Sequence, residues 1–173
     1  MALLPNDTGV LRLQLDLVGR ETGARPAGAD PAAAAPAPGS LRVLASVAIE
    51  SRDARDGEWW PIVRLPVVYV AAGGVEELVA GLLEVLQGTV PGIAWSSGED
   101  GALGLQLGVP EGGAGLLLAE VGVDLGLFLA ESAGTPRRIG AELALFRWPV
   151  RRADAVSFAD ALRRESDGLP AAG

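Results

Sequence analysis

The chain has 173 residues, 49% hydrophobic and 21% charged, with a formal net charge of −8 and no Cys, His or Lys. Without Cys there is no disulfide framework, thiolate nucleophile or cysteine metal site; without His, no Ser-His-Asp triad or imidazole ligand; without Lys, no Schiff base or phosphate-loop lysine. No apolar run of 18 residues is free of charge or proline, and the leading MALLPNDTG has neither a basic n-region nor an apolar h-region. These features predict a cytoplasmic protein with no membrane partner, and the all-Arg basicity fits a GC-rich bacterial genome.

The first strand signal is Val10–Val18, where Leu11, Leu13, Leu15 and Leu17 share one face and Arg12, Gln14 and Asp16 the other. Residues 22–40 are low-complexity Pro/Ala/Gly, a composition with no face to bury, and are expected to be a disordered insertion. Leu41–Ser51 alternates again. The DARDGE turn follows, then WWPIVRLPVVYV, where Pro61 and Pro66 withhold ladder donors and allow at best an edge strand or an irregular extended stretch.

A helix is predicted over Val75–Leu86. Apolar residues at 75, 78, 79, 82, 83 and 86 form one stripe, Glu76 and Glu77 suit the first turn, and Gly88 suits the C′ position. Next come IAWSS and Leu103–Val109 as a hairpin, then Leu116–Val123 with alternation continuing to Leu129. A last strand is read through Ile139, Ala141, Leu143 and Leu145, and a short helix with Ser157 as cap and Phe158, Ala161 and Leu162 buried. The expected class is α+β: a mostly antiparallel sheet of about seven to eight strands, sandwich-like or strongly curved, with one central and one C-terminal helix. A single domain is expected over residues 1–167, with 168–173 as a flexible tail.

The Gly-rich stretches AAGGVEE, SSGEDGALG and PEGGAGLLL read as turns and a helix entry, because Glu76 and Glu77 would repel a phosphate at the one helix start available. Glu120, Asp124, Glu131 and Glu142 interrupt apolar strands and read as a solvated sheet face. Glu120 and Asp124 would stand about 13 Å apart on one face, too far for a paired-carboxylate hydrolase. No catalytic residue, metal ligand set or cofactor is therefore assigned, and a carboxylate-based enzyme is the minor alternative. Between residues 65 and 136 there are nine acids and no base, whereas residues 137–165 hold seven Arg against four acids. This layout predicts a basic protein partner steered by an acidic field, excludes nucleic acid by repulsion, and allows homo-oligomers through the acidic middle and the Arg-rich end. The candidate partner-binding residues are Trp59, Trp60, Trp148, Glu99, Asp100 and Glu111.

The helix EELVAGLLEVLQG, the segment AWSSGEDGALGLQLGV, the strands after it and the closing FADALRRE helix resemble, in order and spacing, the WapI-type family of small bacterial immunity proteins. The resemblance spans residues ~41–166 and implies a non-catalytic protein that binds and neutralises a toxin. The expected function is thus a non-enzymatic protein-binding module, an immunity-like inhibitor of a basic toxin; the alternative is a structural or accessory subunit of a larger bacterial assembly.

Overall fold

Strict alternation makes Leu13 and Leu15 core residues, buried between neighbours of the same parity on flanking strands. This was seen in a computed structural model, which describes residues 1–22, 41–71, 73–97, 102–110, 115–124 and 143–170. The elements run β1 (Ala2–Pro5), β2 (Leu11–Thr22), β3 (Leu41–Arg52), β4 (Trp59–Ala71), α1 (Gly74–Gln87), β5 (Gly92–Ser96), β6 (Leu103–Gly108), β7 (Leu116–Asp124), β8 (Leu143–Arg151) and α2 (Arg152–Gly168). They form two four-stranded antiparallel sheets, β1-β2-β3-β4 and β5-β6-β7-β8, so the α+β class holds. One continuous apolar core draws on the inward faces of both sheets and on both helices. No helix among the described residues is long and apolar enough to cross a membrane.

Asn6 organises the entry to β2. Its Oδ1 accepts from the N–H groups of Val10 and Leu11 at 2.8 and 3.1 Å, its Nδ2 donates to Thr8 Oγ1, and Gly9 takes the left-handed conformation. The turn returns the chain so that Ala2 and Leu4, both buried, pair beside Leu15 and Leu13. β4 is a full edge strand, not an irregular stretch. The sheet accommodates its prolines by two register shifts, one skipping Ile62 beside Pro61 and one across Pro66 and Val67.

Helix α1 starts one residue before the predicted span and ends one after it. Gly88 caps it in the left-handed region, with its N–H donating to Val85 O and Thr89 N–H to Glu84 O. The guanidinium of Arg152 donates to Leu86 O at 2.6 Å and to Val85 O at 3.3 Å, placing a cation at the negative end of the helix. The buried stripe is Val75, Leu78, Val79, Leu82 and Val85, with Leu83 and Leu86 only half-buried. The stripe turns this way because α1 packs mainly against α2 rather than squarely on a sheet.

Two expectations near the C-terminus change. β8 runs over 143–151 with Trp148 and Val150 inward, leaving Leu145 59% exposed; in the register with β7 the bulkier even-numbered residues take the core. Helix α2 begins at Arg152, so Ser157 is internal, and its hydroxyl donates to Ala153 O four residues back instead of capping. At the other end of α2, Glu165 accepts from Leu17 N–H at 3.0 Å and pairs with the Met1 amino group, which also lies 3.3 Å from Asp16. Burial opposes the charge on that amino group, but hydrogen bonds and attraction to Glu165 and Asp16 outweigh it and raise its pKa above 8.0. Leu169, placed in the tail by sequence, packs half-buried against the core. The insertion after Thr22 and the continuation Leu125–Ala141 lie outside the described residues.

Leu82→Ala should lower unfolding free energy by about 2–5 kcal/mol, while Glu84→Ala on the opposite side of α1 should change it by less than about 0.5 kcal/mol. Urea unfolding measures both. A larger loss at Glu84 would mean that the helix buries its other side.

Candidate docking surface on the edge of the first sheet

An edge strand normally hides its apolar side chains or carries charges along them. β4 does neither. Trp60, Ile62, Val67 and Tyr69 are 58%, 50%, 47% and 40% exposed, four of the ten large apolar side chains exposed among the described residues. They run about 30 Å along one strand. Prolines at 61 and 66 remove two N–H donors and the two register shifts break the repeat, so the strand is a poor template for backbone pairing. What it offers to a partner is side chains.

The outward face of the same sheet concentrates arginine and aromatic rings. The Arg12 guanidinium stacks 3.9 Å from the centroid of Trp59 and donates to Glu50 Oε2 at 2.7 Å, filling the space between β2 and β4. Arg42 lies over the Tyr69 ring at 5.3 Å. Arg52 reaches Gly57 O across the hairpin at 3.1 Å, in a turn where Asp53 and Asp56 carboxylates accept from the N–H groups of Arg55 and Glu58. Arg64 is exposed and has no partner among the described residues.

The sequence candidates divide. Trp59 and Trp60, adjacent in an extended strand, project to opposite sides: Trp59 is covered by Arg12 and only Trp60 is presented to solvent. Trp148 is 2% exposed and sits in the core with its indole N–H unpartnered, so its ring cannot anchor a partner. Glu99, Asp100 and Glu111 lie outside the described residues. The described acids of 65–136 do not form one surface either. Glu76, Glu77 and Glu84 stand on α1, Glu120 is on the outward face of the second sheet, and Asp124 is buried rather than solvated. Sequence reasoning missed Ile62, Arg64, Val67 and Tyr69; the two prolines in WWPIVRLPVVYV were the available signal, since they mark a strand that must lie at an edge.

The outward face of the second sheet is the other open surface. Small residues at Gly92, Ala94, Ser96, Gly104, Gly108 and Gly122 leave two shallow hollows, of ≈ 320 and ≈ 250 Å³. A ridge of Gln106, Glu120 and Arg147 divides them, and the Arg147 Nε donates to Glu120 Oε2 at 2.8 Å. Among the described residues no group of three or more Asp or Glu is placed to hold a metal ion.

No family model and no curated protein matches the chain. Among solved structures it is similar to a chain of a guide-RNA-binding protein complex bound to a guide RNA, at 12% identity and a TM-score of 0.43, over 84% of this chain and 95% of that one. The expected exclusion of nucleic acid is withdrawn in the face of this neighbour. Its physical basis also fails, because net charge sums the whole molecule while Arg12, Arg42, Arg52 and Arg64 gather on one sheet.

Two of these arginines should behave oppositely on mutation. Arg12→Ala strands the buried Glu50 carboxylate and should cost about 1–3 kcal/mol in urea unfolding, whereas Arg64→Ala should stay within about 0.5 kcal/mol. Equal losses would mean that Arg64 also has a structural role.

Proposed function

We propose that this chain is a non-enzymatic docking module that engages a protein partner through the side chains of β4. The observation carrying this reading is the set of exposed Ile62, Val67 and Tyr69 around Arg64 on one edge strand, with Trp60 exposed on the opposite side at its start. Trp, Tyr and Arg are the residue types that dominate binding energy at protein interfaces, and an exposed apolar strip of this length is unusual on a surface with no partner. The chemistry available elsewhere supports the non-enzymatic part: the chain has no His, Cys or Lys, and the carboxylate at the hollows of the second sheet, Glu120, is already bound by Arg147. The resemblance of element order to WapI-type immunity proteins favours an inhibitor that occupies its target over a passive assembly subunit.

Site-specific photo-crosslinking in the native host tests this reading. A benzophenone side chain at position 60 or 69 should yield a discrete crosslinked protein species, and the same group at position 145 on the second sheet should not. Crosslinks from 145 alone, or from none of the three, would contradict it.

A further inference from the structure

We infer that the partner segment covering β4 is acidic, pairing a carboxylate with Arg64 inside an otherwise apolar contact. The inference rests on the docking reading above. Between Trp59 and Ala71, Arg64 is the only charged residue, and its neighbours along the exposed strip are Ile62, Val67 and Tyr69. Any partner that covers those side chains also takes the Arg64 guanidinium out of water. A charge desolvated without a counter-charge costs more than the surrounding apolar burial returns, so the covering surface must bring an anion to that point. Among the described residues no acid pairs with Arg64: on the outward face Glu50 is held by Arg12, and Asp16 by Gln14 and the Met1 amino group. The inferred sign is the reverse of the one that net charge predicts.

A protein carboxylate suits this position better than a phosphate chain. The flanking Ile62 and Val67 need apolar atoms against them, which a polyphosphate backbone does not provide.

Selection of a phage-displayed random peptide library on the full chain tests the inference, with synthetic copies of the enriched peptides titrated against variants. The expected peptides carry Asp or Glu next to aromatic or aliphatic residues. They should bind Arg64→Glu and Arg64→Gln at least about tenfold more weakly, and also lose affinity for Tyr69→Ala. Replacing the peptide acid by Lys should restore binding to Arg64→Glu, which separates a lost ion pair from a damaged fold. Peptides that need Tyr69 but bear no acid and ignore Arg64 would overturn the inference while the docking reading stands. Peptides indifferent to Trp60→Ala and Tyr69→Ala, or no enrichment at all, would overturn both. A fluorescent oligo-dT of about 20 nucleotides that binds the wild type and is lost with Arg64→Glu, with no acidic peptide doing so, would replace the protein segment by nucleic acid.

Discussion

A β-sheet with one apolar face has to bury that face, and the described residues form two such sheets and two helices with which to do it. The solution is a shared interior: both inward faces and the facing sides of α1 and α2 meet in one core. The helices pack on each other as well as on the strands, which is why the buried stripe of α1 shifts onto Val85 and leaves Leu83 half-exposed. Arg152, first residue of α2, ties the pair together by donating to the last carbonyls of α1. With both described helices committed inward, neither covers the outward sheet faces or the edges, which are the surfaces the described residues leave open.

The open surfaces are not equivalent. The outward face of the second sheet is mostly glycine, alanine and serine around a neutral Glu120–Arg147 pair, with Leu145 as a single large exposed apolar side chain, so it offers less to be gained by burial than a run of such side chains. On the first sheet, β4 keeps large apolar side chains in water while its prolines and bulges withhold the backbone. This combination prevents indiscriminate strand pairing yet retains a sticky strip, and the arginines beside it set the sign of what docks. Specificity then comes from the carboxylate that Arg64 demands, and affinity from the rings and aliphatic groups around it.

Much of the fold could be read from residue order. Alternation located β2, β3, β6 and β7, and the 3.6-residue stripe with Gly88 located α1 within a residue at each end. β1 was overlooked although Ala2 and Leu4 alternate before an Asn-Asp-Thr-Gly turn, because four residues are too few for periodicity to stand out. β8 was read in the wrong parity: Leu143 and Leu145 alternate as convincingly as Phe146, Trp148 and Val150, and only the pairing with β7 decides which set faces the core. The docking strip was hidden for a related reason. Val67 and Tyr69 look like core residues in a hydrophobic run; Tyr69 is exposed because its parity faces outward between buried Val68 and Val70, and Val67 lies at the register shift beside Pro66. Charge counted along the chain misled most, because acids that are neighbours in sequence are divided among a helix, a sheet face and the interior.

The central claim is that β4 presents its side chains to a protein in the native setting. Hydroxyl-radical footprinting followed by mass spectrometry tests it most directly, comparing the purified chain with the same chain in extract of its host. Trp60 and Tyr69 should be readily oxidised in the pure protein and protected in the extract, with Leu145 oxidised equally in both. Protection confined to Leu145 and the second sheet, or identical oxidation of Trp60 and Tyr69 in both samples, would contradict the account.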